Sequence, residues 1–325
     1  MCHHQHTRGT AAARLSMGRL TEEEGQMTQR LEGQTPGAAV AAVLAQMPRR
    51  IVACSGGVDS LLLAYLAHRG TGRTVVAHAV TPAVPPSATA RVMAAADQHG
   101  WELHVVTSDE FADERYLSNP QDRCYFCKTN LYDELGRLSA ALASEARASD
   151  GGASAAGASD GGGVDGWTLL SGANIDDLAE YRPGLVAAAE HEVRHPYVEA
   201  GVTKDGIRAQ ALAEGLDWAT LPAAPCLASR LYTGTRVTEL RLRAVDVGEE
   251  LIRQTTGTAV VRCRLRDDAV LIEVPVDARS LITDAVVSAV AVAMQSVAPE
   301  LVSVALDSAP YAPGRSFLPI AEPVA

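Results

Sequence analysis

Residues 51 to 60 read IVACSGGVDS, and this decapeptide decides the fold. Ile51, Val52, Ala53 and Cys54 are small or β-branched and end at a glycine pair, the pattern of a buried strand. LLLAYLAHR follows with apolar residues on helical spacing. Strand, tight turn and helix are therefore expected in succession. Such a turn leaves backbone N–H groups at a helix N-terminus, where the aligned peptide dipoles favour an anion, most often a phosphate. A nucleotide is the first expectation.

Outward from this turn the pattern repeats. A short helix from Ala38 to Gln46 leads into the first strand, and then come TVVAHAV as strand, SATARVMAAADQHG as helix and WELHVVT as strand. Alternating strands and helices imply an α/β fold whose parallel sheet carries helices on both faces. Ligands of such sheets sit beyond the carboxyl ends of the strands, where the Ser-Gly-Gly turn falls. WTLLSGAN resumes the sheet, and VTKDGIRAQALAEGL reads as a helix opened by Thr203. Near residue 235 the pattern changes to helix (VTELRLRAVDVGEELIRQ), strand (AVVRCRLR), strand (AVLIEVPV), helix (ARSLITDAVVSAVAVAMQSV) and strand (LVSVALD), a smaller C-terminal α+β domain. The expected boundaries are a disordered tail over 1–35, a nucleotide domain over 36–232 and a second domain over 233–325. Residues 146–166, ARASDGGASAAGASDGGGVDG, are low-complexity and read as a flexible insertion in a surface loop. Cys2, His3, His4 and His6 in the tail suit a metal by composition alone, but a frayed terminus is the plainer reading.

Composition narrows the function. An apolar fraction of 47% over 325 residues is ordinary for a globular chain. Thirty-nine acids against 28 bases leave a net charge of −11, which weighs against a nucleic-acid partner. No apolar run reaches the roughly 18 residues of a membrane helix, and the opening residues lack the order of a secretory signal, so a cytoplasmic protein without a membrane partner is expected. In a reducing compartment the six cysteines are expected to be free, catalytic or metal-bound. Cys54 and Cys263 fall inside predicted strands and read as buried apolar residues.

Three further stretches carry chemistry. In NPQDRCYFCKTNLY, Cys124 and Cys127 stand at a spacing that lets both sulfurs face one metal, leaving zinc, an iron–sulfur cluster or a redox disulfide open. Cys226, in the loop PAAPCLASR, can supply a third thiol. In SGANIDDLAEYRPGL the acids Asp176 and Asp177 follow a strand end and face the nucleotide crevice, a helix cap being the bland alternative for one of them. Arg182, Arg230, Arg262 and Arg264 are candidates for gripping anions, and the last two share one face of a strand. Asp59 suits Mg²⁺ held against phosphates.

Ser55, Gly56, Gly57, Asp59 and Ser60 fit SGGxDS, and on this motif the chain resembles the PP-loop ATP pyrophosphatases, of the adenine nucleotide alpha hydrolase-like fold. IVACSGGVDS, NPQDRCYFCK, SGANIDDLAEYRPGL, VTKDGIRAQALAEGL and PAAPCLASRLYTGTRVT together resemble one branch of that group, the LarE sulfur transferases, over roughly residues 37–308. The resemblance implies that ATP adenylates a carboxylate of a pyridinium-3,5-biscarboxylic acid mononucleotide. Sulfur then displaces AMP to give a thiocarboxylate for the nickel-pincer nucleotide. It further implies Ser55, Gly56, Gly57, Asp59, Ser60 and Asp177 as nucleotide-binding residues, with Mg²⁺ on Asp59. Cys226, Asp59, Arg262, Arg264 and Glu250 would carry catalysis, with Glu249 beside Glu250. Cys124, Cys127 and Cys226 together match the three-cysteine members, for which a [4Fe-4S] cluster is the implied sulfide carrier in place of a sacrificed Cys226. Other nickel-pincer biosynthesis proteins and further copies of the chain are the implied partners. The rival readings are a transfer-RNA thiolase, an amide-forming ligase of the NAD or GMP synthetase kind, and a non-catalytic nucleotide-binding module. The first lacks a basic nucleic-acid surface here, the second needs no thiols, and the third releases no pyrophosphate.

Overall fold

The structure is a computed structural model that describes residues 35–149, 166–179, 182–223 and 225–316. The expected disordered tail, apart from Thr35, lies outside the described residues. Strands β1 (Arg49–Ala53), β2 (Arg73–Ala79), β3 (Leu103–Val106) and β4 (Thr168–Leu170) form one parallel sheet in the order β3-β2-β1-β4. Helices α1 (Pro36–Leu44), α2 (Val58–Arg69), α3 (Pro86–His99), α4 (Glu114–Leu117), α5 (Arg123–Ser149), α6 (Pro183–Glu190), α7 (Pro196–Glu199) and α8 (Lys204–Ala213) surround it. Successive strand residues point to opposite faces. Val52, Val76 and Leu170 pack with α1, α2, α3 and α8, whereas Ile51, Val75 and Ala77 pack with Tyr132 and Leu135 of α5 and Ala187 and Ala188 of α6. Both faces are covered, which is why the strands are apolar throughout. This is the α/β PP-loop arrangement.

Arg50 of β1 is fully buried without a carboxylate. It donates to Leu44 O at the end of α1 (2.7 Å), Ala67 O near the end of α2 (2.9 Å) and Thr74 Oγ1 (2.8 Å). Helix C-termini carry partial negative charge and unpaired carbonyls, so one guanidinium satisfies both ends and locks them to the sheet.

The C-terminal part holds α9 (Glu239–Thr256), β5 (Arg262–Arg266), β6 (Ala269–Glu273), α10 (Asp284–Val297) and β7 (Ser303–Leu306). β6 pairs antiparallel with β5 and parallel with β7. Its core also takes in Ala83, Tyr116, Leu227, Ala228 and Leu231, and Leu231 bridges Leu265. The segments around residues 83, 116 and 227 thus pack into the core of the C-terminal sheet and helices.

The structure departs from expectation at four places. Arg123–Ser149 is one 27-residue helix, so the first four residues of the expected insertion belong to α5, and 150–165 lie outside the described residues. The helix expected from Ala278 is broken: a 3-10 segment, Val276–Leu281, precedes α10, whose first turn is capped by Thr283 accepting from Val286 N. Strand β4 stops at Leu170, because from there the chain must turn toward the crevice, where Gly172 backs onto Ser60. Cys54, expected inside β1, follows its last residue but is buried, as is Cys263 within β5.

Candidate functional site

The chain order reverses at β1, since β2 and β3 lie to one side of it and β4 to the other. Such a reversal opens a crevice at the carboxyl ends of the strands. Residues 54–57 emerge there. Gly56 has φ +78°, and a Cβ on it would stand 2.7 Å from Ala88 O, so only glycine lets the loop pass α3. Gly57 stands at the cap position before α2 with no side chain to cap the helix, and the N-terminal amides of α2 are left for a ligand. Ser60 staples the turn: its Oγ accepts from Ser55 N (3.1 Å) and donates to Gly57 O (3.1 Å), with Ser55 Oγ at 3.2 Å. Arg91 of α3 donates to Gly56 O (2.6 Å) from behind.

Asp59 looks into this crevice from the first turn of α2. Burial pushes its carboxyl above the ordinary range, the Lys204 ammonium opposes this, and Asp177 adds to it. Lys204 Nζ donates to both carboxylate oxygens of Asp59, at 2.6 and 2.5 Å. Tyr197 OH donates to Asp59 O (2.9 Å), fixing its main chain. Asp177 accepts from Asn174 N (3.0 Å) in a capping box and pairs with Arg182 at 2.6 Å. Asp176 accepts from Lys204 N (2.6 Å) and so caps α8. Both acids therefore cap, Asp177 its own 3-10 segment and Asp176 the first turn of α8, and Asp177 also bears on Asp59 as a like charge. Two hard carboxylates held near each other suit Mg²⁺, which commonly takes one or two protein carboxylates and completes its shell with phosphate and water.

Lys204, Arg208 and Tyr197 escaped the motif reading. The stretch carrying Lys204 was visible as a capped helix, but nothing in its spacing points at a loop 145 residues earlier.

The sulfur-bearing residues gather at a second corner. Cys124 and Cys127 lie in the first turns of α5, and Cys226 is exposed on the loop before the 3-10 segment Leu227–Arg230. All three thiols bear on the charge of Arg123 and Lys128, so they share one electrostatic neighbourhood. Cys127 packs against the C-terminal core, and that apolar setting pushes its thiol up to about 12. Three thiols with two nearby cations suit an iron–sulfur group in donor type. In spacing they do not: among the described residues no three His, Cys, Asp or Glu side chains are grouped closely enough to hold a metal ion.

Arginines clasp the Cys226 loop by its carbonyls. Arg262 donates to Ala223 O (3.0 Å), Arg230 to Pro225 O (2.6 Å) and Cys226 O (3.1 Å), and Arg264 to Ser229 O (2.9 Å). Arg230 is paired bidentately with Glu249 at 2.9 Å, and Arg264 with Glu273 at 3.0 Å, all four buried. Glu250 is half exposed and paired with Arg253 at 3.0 Å. The expected catalytic arginines are therefore joined to the cysteine through the main chain of its loop.

No family model matches the chain. An uncharacterized protein of Synechocystis sp. is 34% identical over 231 residues, 71% of this chain and 78% of its own. The pyridinium-3,5-bisthiocarboxylic acid mononucleotide synthase of Lactiplantibacillus plantarum is 29% identical over 74% of this chain and 80% of its own. An uncharacterized protein of Methanocaldococcus jannaschii is 25% identical over 72% and 81%. With the glycine turn, the acids facing it and the Cys226 loop all in place on a PP-loop sheet, the chain belongs to the LarE family.

Proposed function

We propose that the chain is an ATP-dependent sulfur transferase that converts a carboxylate of pyridinium-3,5-biscarboxylic acid mononucleotide into a thiocarboxylate for nickel-pincer nucleotide biosynthesis. The observation that carries the reading is the turn at 54–60, with a ligand-ready helix N-terminus and Asp59 beside it. In the reaction, a carboxylate oxygen of the substrate attacks the α-phosphorus of ATP, and the bond to the β-phosphate breaks. Pyrophosphate leaves onto the amides of Gly57 and α2, where the helix dipole offsets its charge. Mg²⁺, held by Asp59 with Asp177, would neutralise charge on the phosphates. A sulfur nucleophile from the Cys226 corner then attacks the acyl carbon, and AMP departs with the former carboxylate oxygen.

An iron–sulfur carrier on Cys124, Cys127 and Cys226 requires the thiols to draw together on loading, and anaerobic iron and acid-labile sulfide analysis tests it. The sulfur-transfer reading is supported by the named relative from Lactiplantibacillus plantarum. Its test is product analysis with ATP and the dicarboxylate mononucleotide. AMP and pyrophosphate in equal amounts are expected, and ADP with phosphate would refute it. A Cys226→Ser protein is expected to release pyrophosphate yet form no thiocarboxylate.

A further inference from the structure

The contact between Lys204 and Asp59 is a partly exposed ion pair between two elements far apart in the chain. Both side chains keep about a third or a quarter of their surface in solvent, 32% and 26%, so solvent screens the attraction and the pair adds little to stability. The main chain on each side is nevertheless fixed. Lys204 N is held by Asp176, the first turn of α8 is capped by Thr203, and the Asp59 carbonyl is held by Tyr197. Only the four-carbon stem of Lys204 remains to move, and it ends on the carboxylate that points at the uncapped turn. Asp177 lies near enough to act on Asp59 as a like charge, and Arg208 near enough to act on it as an opposite one. Asp59, at the mouth of the phosphate cradle with a second negative charge from Asp177 acting on it, is a place for a divalent cation, and both of its oxygens are capped by an ammonium while those of Asp177 are held by Asn174 N and Arg182.

We infer that Lys204 exchanges partners: its ammonium stands in for the divalent cation on Asp59 while the crevice is empty, and moves to a phosphate of ATP when the metal arrives. The inference rests on the ATP reading given above. Two cations cannot share the same carboxylate oxygens without repulsion, so a metal on Asp59 expels the ammonium. The incoming triphosphate supplies the anion that receives it, within the sweep of a flexible side chain with three donors. The exchange keeps the Asp59 charge compensated at every stage. It also makes metal binding without nucleotide unfavourable, so that metal and ATP enter together.

The consequence is a pair of effects of opposite sign. Lys204→Met removes the competitor for Asp59 and the ligand for the phosphate at once. By electron paramagnetic resonance, this variant is expected to take up Mn²⁺ in the absence of nucleotide about five- to tenfold more tightly than the wild type. By equilibrium dialysis with Mg²⁺, it is expected to bind ATP at least about tenfold more weakly. Lys204→Arg, whose fork pairs with a carboxylate more firmly, is expected to bind Mn²⁺ more weakly than the wild type and to keep ATP affinity within about threefold. A residue with a merely structural role would weaken both affinities together in Lys204→Met, and that result, or two unchanged affinities, overturns the inference. If Lys204→Met does not fold, Lys204→Arg decides alone, and Mn²⁺ binding equal to or tighter than the wild type overturns it. A wild type that binds no ATP overturns the reading of the crevice and this inference with it, whereas a wild type that binds ATP confines any failure to Lys204.

Discussion

Two sets of ion pairs divide this molecule. At the crevice, Asp59–Lys204 and Asp177–Arg182 keep 20–49% of each side chain in solvent. Below the Cys226 loop, Arg230–Glu249 and Arg264–Glu273 keep 0–4%. Exposed pairs are worth little and can be traded for a ligand, whereas a buried pair cannot lose one member without stranding a charge. The crevice pairs can therefore be traded at little cost in stability, and the C-terminal ones cannot. The buried arginines place their remaining donors on carbonyls of the cysteine loop, so the main chain that carries Cys226 is held in place.

The sharpest way to break this contrast is Glu249→Ala, which leaves Arg230 buried without its carboxylate and also removes a partner of Arg253. Urea denaturation is expected to show a loss of about 3–5 kcal/mol. A loss under about 1 kcal/mol would place this pair in the same class as the exposed ones. Asp59→Ala is expected to lower pyrophosphate release by at least about a hundredfold, about 3 kcal/mol of barrier, with little change in the unfolding midpoint. An equal fall in both would assign Asp59 to the scaffold. Gly56→Ala tests the turn between β1 and α2 on the crevice side: a side chain at positive φ and against the Ala88 carbonyl is expected to cost about 1–3 kcal/mol and weaken ATP binding.

Smaller effects sharpen the contrast among the thiols. Cys226 is exposed while Cys54 and Cys263 are buried, so brief alkylation followed by peptide mass analysis is expected to mark Cys226 well before either. Burial pushes the Cys263 thiol well above its ordinary value of 9.0. Above about pH 9 the unfolded chain therefore sheds a proton that the folded chain keeps, and stability falls as pH rises. Below that value Cys263 contributes no pH dependence. A Cys263→Ala protein is expected to show a flatter decline in unfolding midpoint above pH 9.

Much of the parallel sheet and its helices was legible because the information there is local. The apolar runs of β1 and β2, the glycine pair and the Thr203 cap each announce themselves within a few residues. Helix α5 carried a readable signal too, with Tyr132, Leu135, Ser139 and Leu142 buried on one stripe, but its first turns were read only for the spacing of Cys124 and Cys127, and its last four residues as part of the insertion. The site divides the same way. Asp59 was found from its motif, while Lys204 and Tyr197, 145 and 138 residues away, come to it only through the packing of α7 and α8 on the sheet. The tie between the arginines and the Cys226 loop was hidden for a different reason. Alternation on a strand says which face Arg262 and Arg264 share, but not that their partners are main-chain carbonyls of another segment.

The most direct test follows one oxygen. With the substrate carboxylates labelled with oxygen-18, adenylation transfers a carboxylate oxygen to phosphorus, and the AMP released by sulfur attack retains it. One labelled oxygen per AMP is the predicted result. AMP free of label, formed at the same rate as the thiocarboxylate, would contradict the account.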